Sequence, residues 1–180
     1  AGFDCYTPTL DKLVAVYPIR AVGQPAPTPT ATPVPTNTPV PTSTATEPSH
    51  YTHYSKGYEY FLDGKYDQAI REFTNAIRLD PGSAEAFEAR CPAYFEMHDY
   101  KKALDDCNKA VLLRPNVCCA HYTRGNIYAA LGEYQKAIED FGQAIRIDPL
   151  YAAAYESRSE SYRSLGEYRK ADADKAKACS

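Results

Sequence analysis

Thiols, imidazoles and paired carboxylates are the side chains from which reactive centres are built, and this sequence places several close together. Cys118 and Cys119 are adjacent with His121 just beyond, His50 and His53 lie one helical turn apart, and Asp105-Asp106 and Glu139-Asp140 are acidic pairs. A cysteine beside a histidine begins a nucleophile pair, but the base needs a third group to orient it, and sequence proximity supplies none. The two histidines stand without a Cys-x-x-Cys or a clustered carboxylate–histidine set, so no metal is expected. The acidic pairs sit near Lys101, Lys102 and Lys136, where solvated ion pairs on helix faces account for them. No Gly-x-Ser-x-Gly elbow, phosphate-cradling glycine loop or dinucleotide fingerprint occurs. The expectation is a protein that is not an enzyme and carries no cofactor.

The elements holding these residues divide the chain in two. Ten of the 14 prolines fall in residues 1 to 48, and the remainder is rich in Ala, Tyr, Glu, Lys and Arg at helix-forming density. The formal net charge is −3 with no basic cluster, which argues against nucleic acid as a partner, and the apolar runs are too short to span a bilayer. A chain starting at Ala rather than Met reads as a mature form from which an export signal has been removed. Six cysteines in 180 residues suit the same secreted or cell-surface, extracellular setting.

Asp80-Pro81, Arg114-Pro115 and Asp148-Pro149 recur at intervals of 34 residues, the mark of a solenoid. Between them each unit carries two amphipathic segments joined by a short turn such as Asp63-Gly64-Lys65-Tyr66 or Leu131-Gly132-Glu133-Tyr134, which reads as a helical hairpin. The runs Gly57, Tyr60, Tyr66, Ala69, Phe73, Ala76, Pro81 and Gly125, Tyr128, Tyr134, Ala137, Phe141, Ala144, Pro149 resemble tetratricopeptide repeats. The resemblance implies an all-α solenoid of four hairpins over residues 49–180, with units at about 50–83, 84–117, 118–151 and 152–180, preceded by an extended Pro/Thr-rich N-terminal arm. Lys175 stands in the fourth unit where Phe73 and Phe141 stood, and with Ser159, Ser161 and Ser164 it suits a polar terminal cap.

The resemblance also implies a concave face lined by the first helix of each unit. That mapping selects Tyr51, Tyr54, Tyr58, Phe61 and Leu62, then Glu85, Glu88, Phe95 and Glu96, then Cys119, Tyr122 and Asn126, then Glu156, Glu160 and Arg163. Family members that clamp an acidic chaperone tail need several Lys, Arg and Asn side chains there, and only Asn126 and Arg163 could serve, so a peptide with apolar or proline character fits better. Ordinary hairpin packing is the competing reading of the tyrosines. The second unit departs from the pattern at Cys91 and Cys107, which sit about equally far from the turn at His98–Tyr100. Antiparallel helices bring such positions together, which favours a disulfide over two small buried thiols.

Residues 23–48 are a Thr/Pro linker. Extended at ~3.1 Å per residue it reaches roughly 80 Å, and it resembles an O-glycosylated stalk with acceptors at Thr28, Thr30, Thr32, Thr36, Thr38, Thr42, Ser43, Thr44 and Thr46. A bare flexible spacer is the alternative. Ahead of it, residues 1–22 carry Cys5, Leu10, Leu13, Val14, Tyr17 and Ile19, an apolar arm with a cysteine able to lock its docking. If all cysteines pair, Cys5 takes Cys118 or Cys119 and Cys179 takes the other. The leading expectation is a self-assembling fibre subunit whose arm docks on the repeat domain of a neighbouring protomer. The alternative is a monomeric periplasmic or surface adaptor that holds another protein in its tyrosine-rich groove.

Overall fold

The structure, a computed structural model, describes residues 49–179, and every element among them is helical. Four antiparallel hairpins follow one another: α1 (His50–Leu62) with α2 (Tyr66–Leu79), α3 (Ala84–Glu96) with α4 (Tyr100–Leu113), α5 (Cys118–Ala130) with α6 (Tyr134–Ile147), and α7 (Ala152–Ser164) with α8 (Tyr168–Ala178).

Local chemistry sets the helix ends. Ser49 and Ser83 accept the N–H of Thr52 and Ala86 through their hydroxyls, and Asp99 accepts that of Lys102, each satisfying a donor the helix leaves open. Each hairpin turn closes by the same pair of backbone bonds, as in Lys65 N–H to Tyr60 C=O at 2.8 Å and Gly64 N–H to Phe61 C=O at 3.0 Å. The turning residue has positive φ: Gly64, Gly132 and Gly166 in three units, and His98 (φ 59°) in the second. Between units, Asp80 and Asp148 fold their carboxylates back onto the N–H of Gly82 and Leu150. Arg114 holds the equivalent place in the middle joint and has no oxygen with which to do this.

Small residues let the paired helices approach. A Cβ at Gly57 would lie 2.7 Å from the fully buried Phe73 ring, and one at Gly125 would lie 2.6 Å from Phe141. The ring thus fills its own hairpin rather than the gap to the next. In the second hairpin Cys91 and Cys107 occupy these two positions and are joined by a disulfide with Cα atoms 5.5 Å apart, both fully buried. In the fourth, Ser159 donates to the Ala171 carbonyl at 2.8 Å, while Lys175 points to solvent beside Glu156. Where α2, α4 and α6 carry Ile70, Leu104 and Ile138 at one repeat position, with Leu104 packed beside Ile127 of the following unit, α8 carries the exposed Asp172.

Successive first helices touch each other (α1 with α3, α3 with α5, α5 with α7), whereas successive second helices do not. The first helices therefore form the tighter, inner layer of the curve, and their inward side chains line the concave face.

Candidate interaction groove

On α1 the inner face is a run of rings. Tyr54 stacks on Tyr58 with centroids 6.4 Å apart, Tyr58 meets Phe61 at 6.4 Å, and Phe61 meets Tyr66 at 5.6 Å. Tyr51 and Leu62, at the two ends of this run, are 50% and 59% exposed. The aromatic positions of later units pack on their own hairpins in the same way: Phe95 meets Tyr100 at 5.8 Å as Phe61 meets Tyr66, and Tyr122 meets Phe141 as Tyr54 meets Phe73, at 6.0 Å. Phe95 packs into the core around Cys91, Cys107 and Ile127. Tyr122 wedges between Phe141 and Tyr151, at 5.8 and 4.9 Å. Cys119 and Asn126 are half-buried on α5, with Cys119 Sγ 3.8 Å from Cys118 Sγ. Of the fifteen positions mapped to the concave face from sequence, Tyr54, Tyr58 and Phe61 form a run of neighbouring rings on α1, with the exposed Tyr51 and Leu62 on the same helix.

Beside that surface lies a charged feature the sequence reading did not find. Freed from the turn, the Arg114 guanidinium reaches inward to donate to Glu85 at 2.6 Å and Glu88 at 3.0 Å. Glu88 is the most sheltered of the three. Burial pushes its carboxyl up, against the pull of Arg114. Its reach spans three units. Burial and then the Glu88 charge push the Tyr58 phenol up to about 12 and raise Tyr54 as well, and burial, Asp148 and Glu88 together raise the Cys118 thiol. Pro92, inside α3, has no N–H to give the Glu88 carbonyl one turn back, which leaves a further acceptor on the same helix face.

Each acidic pair is split: Asp105 and Glu139 are exposed, as the sequence reading expects, but their neighbours are not solvated. Asp106 and Asp140 are each 5% exposed. Arg90 grips Asp106 with two bonds of 2.7 and 2.8 Å, Arg124 grips Asp140 at 2.7 Å twice, and Arg158 grips Asp174 at 2.7 and 2.8 Å. The first unit substitutes His53 and Lys56 around Glu72. The sequence carried a signal for this, since Arg90, Arg124, Arg158 and Asp106, Asp140, Asp174 each recur at the repeat interval. Among the described residues no three His, Cys, Asp or Glu side chains gather as a metal site, and no helix is long and apolar enough to cross a membrane.

Comparison with known proteins fits this geometry. A tetratricopeptide repeat model matches residues 118–151 and a second TPR repeat model matches residues 57–97. The crystal structure of MamA is 30% identical with a TM-score of 0.69, over 73% of this chain and 77% of that one. The chain belongs to the tetratricopeptide repeat family. Among its relatives, the first TPR of Spaghetti (RPAP3), solved bound to an HSP90 peptide of sequence SRMEEVD, is 29% identical with a TM-score of 0.64, covering 66% of this chain and 94% of its own. TTC0263, a thermophilic TPR protein in Thermus thermophilus, shares the fold at 23% identity and a TM-score of 0.66, over 72% and 73% of the two chains. No curated protein matches the chain. In this tetratricopeptide array the docking-arm residues Cys5, Leu10, Leu13, Val14, Tyr17 and Ile19, and the nine stalk acceptors, lie outside the described residues.

Proposed function

We propose that this chain is an exported structural protein that assembles with copies of itself, the arm of residues 1–22 of one copy seating on the concave face of the next. The observation that carries this reading is the inner surface of α1, where Tyr51 and Leu62 are half-exposed or more at either end of the Tyr54, Tyr58 and Phe61 run. Rings of this kind take up pyrrolidine and aliphatic groups with little loss of side-chain freedom. The arm offers both, in Leu10, Leu13, Val14, Tyr17, Pro18 and Ile19. The contact is head-to-tail and does not close on itself, so it propagates as a filament. The Cys91–Cys107 bond supports placement in an oxidising, extracellular setting, with the Thr/Pro linker as a glycan-bearing stalk. An acidic tail like the RPAP3 ligand is disfavoured, because Glu85 and Glu88 stand on the face it would occupy.

Electron microscopy and sedimentation of the full chain and of a variant lacking residues 1–22 test the reading. The full chain forms filaments, and the truncated chain keeps its helical circular dichroism but sediments as a monomer. The same oligomeric state for the two would sink the proposal and leave the groove for a different protein.

A further inference from the structure

Two of the carboxylates on α3 share a single cation among the described residues, and that cation comes from the neighbouring joint. Glu85 and Glu88 reach one guanidinium, that of Arg114, so the site keeps a residual negative charge beside Tyr54 and Tyr58. Its holder is loosely kept. Arg114 is 45% exposed, and exposed ion pairs of this sort are worth at most about 1 kcal/mol, little enough to be exchanged. In the fourth unit the position equivalent to Glu88 is again acidic, Glu156, and Glu160 follows one turn on. The face is aromatic and net acidic, so it complements an extended segment with apolar side chains and one guanidinium.

The chain contains such a segment. Tyr17-Pro18-Ile19-Arg20 joins a ring, a proline, an aliphatic side chain and an arginine, and no acidic residue occurs between Asp11 and Glu47 to offset that charge. Lys12, the arm's other cation, directly follows Asp11. The pyrrolidine and its effect on the preceding residue favour extended backbone. The linker, reaching roughly 80 Å at full extension, gives the segment access to a second molecule. We infer that Arg20 of one copy displaces Arg114 from Glu85 and Glu88 of the next, so that this acidic pair sets the register of the docked arm. The inference rests on the reading of the concave face as the arm's receptor.

The full chain is the material for the test, with self-association measured by sedimentation over a concentration series. Arg20→Gln gives up the arm's contact but leaves Arg114 in place, so association is expected to weaken about threefold, and equally in the Glu85→Gln/Glu88→Gln double variant. Combining all three changes should weaken it no further, because both sets remove one contact. Arg114→Gln should strengthen association by removing the resident competitor, and Lys12→Gln should leave it unchanged. Circular dichroism verifies that each variant is folded, and if the glutamate variant is not, Arg20→Gln and Arg114→Gln decide alone. Wild-type association by Arg20→Gln, or a weakening by Arg114→Gln, overturns the inference. If deletion of residues 1–22 still abolishes assembly in that case, the receptor reading survives without it. If deletion changes nothing, both fall.

Discussion

Asp106 and Asp140 hold equivalent places and the same two-pronged arginine, yet their carboxyls move in opposite directions. For Asp106 burial dominates the bonds from Arg90 and raises it. For Asp140 burial also works upward, but Arg124 and His121 together hold it below the ordinary range, with His121 Nδ1 3.3 Å from Oδ1. A depressed carboxyl binds its proton less readily in the fold than in the unfolded chain, where aspartate titrates at about 3.9. Asp140 therefore stabilises the fold above that value, and the contribution is lost as pH falls through its lowered folded value. The raised Asp106 works oppositely, its contribution fading as pH rises through the folded value. Asp140→Asn should cost about 3 kcal/mol at neutral pH, since Arg124 is left without its partner, and should flatten the loss of stability in acid. Urea unfolding across the acid range measures both, and an unchanged acid slope would show that Asp140 is not the responsible group.

Within the hairpin, one structural role is filled in three ways. Gly57–Phe73 and Gly125–Phe141 fill the space between paired helices with a ring, Cys91–Cys107 fills it with a covalent bond, and Ser159 leaves it to a hydrogen bond. Closing a loop of this size by a disulfide is worth about 3 kcal/mol, so reduction should lower the stability of the second unit by that order. Replacing the cystine with the pair used on either side, Cys91→Gly with Cys107→Phe, leaves Cys119 its disulfide and should restore a folded hairpin whose own hydrogen-exchange protection no longer falls on reduction. A double variant that loses as much on reduction as the wild type would place the redox-sensitive bond elsewhere. This layer was legible in the sequence because the glycine and the ring recur two repeat intervals apart and the two cysteines fall at the same positions in the unit between. The arginine–aspartate pairs repeat as regularly, but their residues are common on exposed helix faces, so nothing in one unit marks them as buried. Arg114 was harder still: in sequence it reads as a variant of the Asp-Pro turn, and its contacts with Glu85 and Glu88 exist only once the hairpins stack. Tyr54 and Tyr122 hold the same repeat position and pack on the equivalent rings Phe73 and Phe141, and only tertiary packing sets Tyr58 beside the one and Tyr151 beside the other.

Along the whole array, each arginine of the buried pairs has a spare N–H that reaches back across the joint. Arg90 Nη1 donates to Thr74 on α2, and Arg124 Nη1 donates to Asn108 on α4, both at 2.8 Å. These bonds tie the second unit to the first and the third to the second. At the last joint the matching residue is Gly142, and a Cβ built there would lie 3.6 Å from Arg158 Nη1, near enough for a longer side chain to meet it. The fourth unit is therefore held by the apolar seam around Tyr151, Ala154 and Ala144 without a cross-unit polar tie from Arg158. In a linear array, stability is the sum of each unit and its interfaces, so a weaker joint beside a polar end face lets that unit open first. Hydrogen exchange should show α7 and α8 less protected than α5 and α6. Gly142→Asn, which recreates the Asn108 arrangement and removes a mid-helix glycine, should narrow the gap and raise stability by about 1 kcal/mol. Equal protection of the two hairpins in the wild type would mean that the apolar seam alone holds the last joint as firmly as the others.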